Sequence, residues 1–366
     1  MIPLVDLPWQ HQQIWPELEE RIIGLMERGA FILGSEVEQF ERAFASYSGT
    51  EHCIGVASGT DALELALRSL ELPSGGEVIV PTNSFVASAA AVVRAGLSPV
   101  LADVDEETFL LDAKTAEAAV TDRTVAVMPV HLYGRLADMP AIADVAQRHH
   151  LRIVEDAAQS QGARTTAYGV GTFADVAATS FYPGKNLGAY GDGGAVLTNQ
   201  SSVADRVRML RDHGSAEKYH HELLGTNSRL DALQAAVLSA KLKRLDEWNA
   251  LRINAAARYT ELLAGAAIDC PELITDGSHV WHLFVVRVAD RDGVVDRLQR
   301  EGIGVGIHYP VPIHHQPALR DHLSGELSLP VAESLAREIL SLPLFPGITS
   351  EQQEQVVTAL NVSLQG

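Results

Sequence analysis

From about residue 50 to about residue 200, short apolar runs alternate with amphipathic segments. The runs HCIGVA, EVIVP, SPVLADV, TVAVMPV, LRIVED, VAATSF and GAVLTN are rich in β-branched residues and short enough to be strands. Between them, DALELALRSL puts Leu63, Leu67 and Leu70 on one helical face, and VASAAAVVRAG and MPAIADVAQRHH read as helices too. Strands that are apolar throughout, separated by helices, predict an α/β architecture with a mostly parallel sheet covered on both faces. In such sheets a ligand sits beyond the carboxyl ends of the strands.

After residue 200 the pattern changes. SSVADRVRMLRDH and the long stretch RLDALQAAVLSAKLKRLDEWNALRINAAARYTELL read as helix. Strand-like HVWHLFVVRV follows, then a helix, the segment GIGVGIHYP and a terminal helix. This divides the chain into a large α/β domain over residues 1–247, entered by an N-terminal helical arm, and a smaller α+β domain over 248–366.

Composition narrows the class. With 47 acidic against 28 basic side chains the formal charge is −19, which disfavours a nucleic-acid binder, since that class normally needs a basic face. The two cysteines, Cys53 and Cys270, form no C-x-x-C pattern, which fits a reducing compartment and no cysteine-bound metal. The start, MIPLVDLPWQ, has no basic segment and meets Asp6 early, so no signal peptide is expected. The best apolar run, FVASAAAVV, meets Arg94 well short of a bilayer span. The expectation is a cytoplasmic protein that uses neither membrane nor nucleic acid.

Four positions at strand ends carry possible chemistry. In VASGTDALELAL a strand ends, Ser58-Gly59-Thr60 turns and a helix opens; that suits a bound anion, although this stretch alone favours plain capping by Ser58 or Thr60. Asp156 leaves the apolar strand LRIVED, where an unpaired carboxylate is costly, so it needs a cation, hydrogen-bond donors or a helix to cap. Lys185 follows Ser180 and the turn Pro183-Gly184, in a loop whose five glycines between 184 and 194 let the backbone approach something closely. A lysine in a low-dielectric pocket loses basicity and becomes an amine nucleophile for an aldehyde. In GTNSRLDALQAA, a polar quartet precedes an apolar helix, and Ser228 with Asp231 has the spacing of a capping box.

Together the four describe one site. Pyridoxal 5'-phosphate needs an amine for its aldehyde, a carboxylate at its ring nitrogen, a helix start with hydroxyls for its phosphate and a flat side chain over its ring. Lys185, Asp156, Gly59-Thr60 with Ser180, and Phe85 supply one of each. Other motifs do worse. Gly184-Lys185 lacks the spacing of a P-loop, GVGTFA follows no apolar strand, and G-x-S-x-G is absent from the sequence. The pairs His149-His150, His220-His221 and His314-His315 are sequence neighbours, which point apart on a helix or strand, so no metal site is expected.

The blocks FILGSEVEQFE, GVASGTDALELAL, VIVPTNSFVASAAAV, PVHLYGRLADM, VEDAAQSQGA, SFYPGKNLGAYGDGGAV, NSRLDALQAAVL and GIHYPVPIHHQPA resemble, in order, those of the DegT/DnrJ/StrS sugar aminotransferases. The resemblance runs from about residue 4 to the C-terminus. It implies a fold-type I pyridoxal-phosphate transferase, like aspartate aminotransferase. On that likeness Lys185 is the Schiff-base lysine, Asp156 partners the ring nitrogen, Gln159 faces the ring's phenolic oxygen and Phe85 stacks on the ring. Gly59, Thr60 and Ser180 would hold the phosphate. The likeness also implies a homodimer with its sites at the interface, where Asn227 reaches the neighbouring subunit's phosphate. KYHHELLGTNSRLD and GIHYPVPIHHQPA are most similar to the members that aminate C-3 of dTDP-3-keto-6-deoxyhexoses with L-glutamate as donor. Tyr182, Lys218, Arg229, His308 and Tyr309 would then line the sugar pocket. C-4 amination and aminocyclitol amination belong to the same family. A sugar dehydratase of this type would carry histidine in place of Lys185, and a non-enzymatic cofactor-binding regulator would not need the intact set.

Overall fold

The computed structural model describes residues 1–217, 219–323 and 325–365. Its centre is a seven-stranded sheet of β1 (His52–Val56), β2 (Glu77–Pro81), β3 (Ser98–Ala102), β4 (Thr124–Val127), β5 (Arg152–Asp156), β6 (Val176–Ser180) and β7 (Gly194–Thr198), in the order β1-β7-β6-β5-β4-β2-β3. β7 alone runs against the others. The reason lies in its connection: residues 181–193 contain no helix, and a parallel return would need a longer crossover, commonly helical.

Period-two alternation assigns each strand residue to a face. Ile54, Val56, Val78, Val80, Val154, Val176, Ala178 and Val196 turn to one side, under α3 (Gly59–Ser69) and α4 (Ala87–Arg94), with the helix Ser201–Arg211 beside them. Ala177, Ala195 and Leu197 turn to the other, against the N-terminal helices α1 (Leu7–Arg28) and α2 (Ser35–Ser48) and the helix Ala232–Leu242; Phe40 and Phe44 there meet Phe181 edge-on. Ile79, Val127 and Ile153 continue that side under Met139–His149. Both faces are covered, so β2 and β7 are buried along their whole length. Ser58 starts α3 by accepting the Asp61 N–H at 3.1 Å on its hydroxyl, one capping bond of about 1 kcal/mol.

The long helix expected from residue 229 onward is two helices, Ala232–Leu242 and Leu245–Leu262. The second runs through the 247/248 boundary and into the C-terminal part. There Phe284–Arg287 and Ile339–Leu342 pair antiparallel. Ala256, Tyr259, Trp281, Phe284, Val294, Leu340 and Val356 pack together, and Ile2 from the chain's start joins them through a bridge to Ile303. Buried Arg252 finds its acceptors in the carbonyls of Trp281, His282 and Leu344, at 3.3, 3.3 and 2.9 Å. No helix among the described residues is long and apolar enough to cross a membrane.

Candidate active site

The carboxyl ends of β1, β2, β5 and β6 open on one edge of the sheet, and β7 begins there. Asp156, the last residue of β5, is buried. Its Oδ2 accepts from Ser88 Oγ at 2.7 Å, and Ser88 Oγ lies 2.7 Å from Ser84 Oγ. Its Oδ1 accepts from the Ala158 N–H at 3.1 Å. Burial pushes the Asp156 carboxyl above its ordinary value, opposed by these two bonds and by the charges of Lys185 and His131. Among the described residues no salt bridge reaches it. A buried carboxylate oriented by hydrogen bonds and lacking an ion-pair partner suits a cationic ring nitrogen.

Lys185 lies in the turn after β6, near enough for its charge and that of Asp156 to act on each other. Its backbone N–H donates to the Tyr182 carbonyl at 2.9 Å, which closes the turn after β6. Burial pulls its amine down to about 8, while the Asp156 carboxylate acts to raise it. The next residue anchors the loop: Asn186 Nδ2 donates to Asn249 Oδ1 at 2.9 Å and to the Val280 carbonyl at 3.0 Å. Asn186 Oδ1 meets His282 Nδ1 at 3.1 Å. Burial, with the Lys185 charge nearby, holds that imidazole neutral.

The turn Ser58-Gly59 is pressed between two strands. A Cβ on Gly59 would meet Ser180 Cβ at 2.5 Å, and one on Gly194 would meet the Ser58 carbonyl oxygen at 2.4 Å. Only glycine lets Ser180 lie against the first turn of α3. That leaves the Gly59 and Thr60 N–H groups, at the positive end of the helix, beside two hydroxyls. An amine, a carboxylate and an anion cradle on one sheet edge fit the donor set that pyridoxal phosphate requires.

The other expected residues are distributed around this centre. Phe85 is 52% exposed, with its ring 5.4 Å from that of Tyr309. Gln159 accepts from the Tyr133 N–H at 2.6 Å and donates to the Tyr309 hydroxyl at 3.2 Å. Burial raises the Tyr309 phenol, and the Asp156 charge adds to this. His308 Nδ1 lies 2.8 Å from Ser341 Oγ, and burial, then Lys185, brings the imidazole down to about 4. Tyr182 is exposed. Arg229 pairs with Asp212 at 3.0 Å, and Asn227 is exposed on the same segment. Lys218 lies outside the described residues.

Ser228 departs from its expected part. Asp231 starts the following helix with no side-chain cap. Ser228, fully buried, instead donates to Asp61 Oδ2 at 2.8 Å and accepts the Ala57 N–H at 3.2 Å, tying the NSRLD segment to the cradle. Sequence reasoning also missed Ser84 and Ser88 behind Asp156. A serine just before an otherwise apolar helix and another four residues later, in its first turn, were the signal for them.

Comparison with known proteins agrees with this geometry. The model of the DegT/DnrJ/EryC1/StrS aminotransferase family matches residues 12–361. The dTDP-3-amino-3,4,6-trideoxy-alpha-D-glucose transaminase of Streptomyces venezuelae is 48% identical over 360 residues, which is 98% of this chain and 95% of the relative. The dTDP-3-amino-3,6-dideoxy-alpha-D-galactopyranose transaminase of Aneurinibacillus thermoaerophilus is 44% identical over 361 residues, 99% of both. Among solved structures, S. venezuelae DesV in complex with a ketimine intermediate superposes with a TM-score of 0.96 at 47% identity, covering 100% of this chain and 99% of that one. With full-length likeness in both sequence and fold, the chain belongs to the DegT/DnrJ/EryC1/StrS aminotransferase family.

Proposed function

We propose that the protein moves an amino group from L-glutamate to the C-3 keto group of a nucleotide-linked 6-deoxyhexose, with pyridoxal phosphate as cofactor. One observation carries the reading: the low-basicity amine of Lys185 and the buried, hydrogen-bonded carboxylate of Asp156 act on each other's charge at the same sheet edge. The S. venezuelae and A. thermoaerophilus relatives, both named for 3-amino sugars, support C-3 and dTDP as the nucleotide.

When bound, the cofactor supplies an aldehyde and an electron-withdrawing ring. Lys185 would hold it through Nζ and would supply the same nitrogen as general base and then acid; an amine near 8 has both protonation states available. Asp156 would keep the ring nitrogen protonated, and Ser84 and Ser88 hold its carboxylate in place. Gly59, Thr60 and Ser180 would bind the phosphate, Phe85 would cover the ring, and Gln159, which donates to the Tyr309 hydroxyl, would hold that phenol beside it. Tyr182, Arg229, His308 and Tyr309 border the sugar. The working unit is a homodimer in which Asn227 serves the neighbouring site.

The test is incubation of holoenzyme with glutamate and a panel of keto-sugar nucleotides, then location of the new C–N bond. Nitrogen at C-3 of a 6-deoxyhexose is expected; transfer to none of the panel, or to another carbon, overturns the reading. Lys185→Ala should keep the fold and lose turnover by at least 10²–10⁴-fold, the usual range for a positioned acid–base group. A dehydratase would release water and leave no nitrogen on the sugar. A regulator would bind cofactor, yet its colour would survive glutamate.

A further inference from the structure

Sequence neighbours point apart on regular elements, the ground for expecting no metal at His314-His315. In the fold these residues lie on a 3-10 turn, Ile313–His315, and their rings stand 4.0 Å apart between centroids, inclined by 43°. Glu333 of the helix Pro330–Glu338 completes a triad. One ligand atom from each of the three lies within 4.8 Å of the others, and His314 Nε2 is 3.3 Å from Glu333 Oε1. Ligands bound tetrahedrally at about 2.0–2.1 Å are roughly 3.3 Å from each other. That pair is already at bonding separation, and His315, on the surface, has the remaining ångström or so to swing.

The surroundings favour a cation. The side chain of His314 is buried, and its Nδ1 meets Thr82 Oγ1 at 2.8 Å, while the same hydroxyl accepts the His314 backbone N–H at 3.2 Å. In the tautomer that donates Nδ1–H to Thr82, Nε2 presents a lone pair on the side of Glu333, the outer-sphere arrangement that fixes a ligating imidazole. The Leu329 N–H donates to Glu333 Oε1 at 2.9 Å and so fixes the carboxylate facing His314. Asp103, which accepts from the Val331 and Ala332 N–H groups at 3.0 and 2.9 Å, adds negative charge beside His314.

We propose that His314, His315 and Glu333 form a binding site for a zinc-class divalent cation, apart from the cofactor centre. Two imidazoles and one carboxylate suit Zn²⁺ and leave a fourth position for solvent; Mg²⁺ prefers oxygen ligands and six-fold coordination. The ion fastens the helix Pro330–Glu338 to the segment after β2. Ile313 N–H donates to the Thr82 carbonyl at 3.1 Å, and Asn83-Ser84-Phe85 follow directly.

The experiment uses tag-free holoenzyme cleared of metal by chelator and titrated with Zn²⁺ by calorimetry, with Mg²⁺ in parallel. One Zn²⁺ per chain is expected, with a higher melting temperature and no Mg²⁺ heat. His315→Ala and Glu333→Gln, both outside the catalytic set, should each weaken Zn²⁺ binding by roughly tenfold or more and keep the amine transfer of the metal-free enzyme. The proposal fails if both variants bind Zn²⁺ as the parent does, if Mg²⁺ binds equally, or if Zn²⁺ in roughly tenfold excess gives no saturable binding.

Discussion

Lys185 owes its chemistry to where its amine is buried rather than to any residue bonded to it. Desolvation disfavours the ammonium, and Asp156 recovers only part of that cost, so the amine falls from 10.5 to about 8. The neutral amine is the form that attacks an aldehyde, which sets the sign of the pH dependence. In cofactor-free enzyme, capture of pyridoxal phosphate should quicken about tenfold per pH unit below 8 and level off above it. An unshifted lysine would keep accelerating to beyond pH 10. Asp156→Asn removes the carboxylate whose charge raises the amine, and should move the break to lower pH. Stopped-flow absorbance across pH 6–10 on roughly a half-unit grid reads both effects. A capture rate that climbs steadily to pH 10 would show that Lys185 is not in the pocket described.

At the scale of elements, the cradle depends on a tie between two segments far apart in sequence. Ser228 is the knot, buried between Asp61 and the Ala57 N–H. Ser228→Ala leaves both groups short of a partner, at a cost of about 1–3 kcal/mol. Urea unfolding should register that loss, and cofactor affinity should fall with it because α3 is no longer fixed; a change below about 0.5 kcal/mol would show the tie to be dispensable. The same residue marks how far the sequence could be read. Its spacing to Asp231 matched a capping box, but its partners come from residues 57 and 61, and no local pattern announces a contact across such a separation. Ser58 was legible because a cap is satisfied within three residues. The strands were legible because burial on both faces leaves an unbroken apolar run, and Lys185 and Asp156 because polar groups at strand ends stand out against it. The direction of β7 was not, since apolar runs look alike whichever way they lie. The break between Leu242 and Leu245 was hidden as well, because no glycine or proline marks it. Lastly, the outward-pointing rule for neighbouring histidines failed at His314-His315, where a 3-10 turn replaces the regular geometry on which it rests.

The whole molecule carries a formal charge of −19, and two copies repel. Association therefore requires an apolar surface large enough to overcome the field. Ile23 and Met26 on the N-terminal helix Leu7–Arg28 are exposed, as are Phe31 and Ile32 just after it and Leu233 beside them. The Ala232 N–H donates to the Phe31 carbonyl at 2.9 Å, so these side chains belong to one neighbourhood, close in sequence to exposed Asn227. Burying such a surface against its own copy would bring the Asn227 segment to a second cradle. A stable dimer needs about 800 Å² from each partner with an apolar centre. The double variant Met26→Asp with Ile32→Asp puts charges at two of the most exposed apolar positions, 66% and 54%. Sedimentation velocity should give a dimer for the parent and a monomer for the variant, with weaker cofactor retention in the monomer. Raising the salt screens the repulsion and strengthens apolar burial, so it should tighten the parent dimer; an interface built on ion pairs would loosen instead. A parent that sediments as a monomer in high salt would remove the interface, and with it the shared site assigned to Asn227.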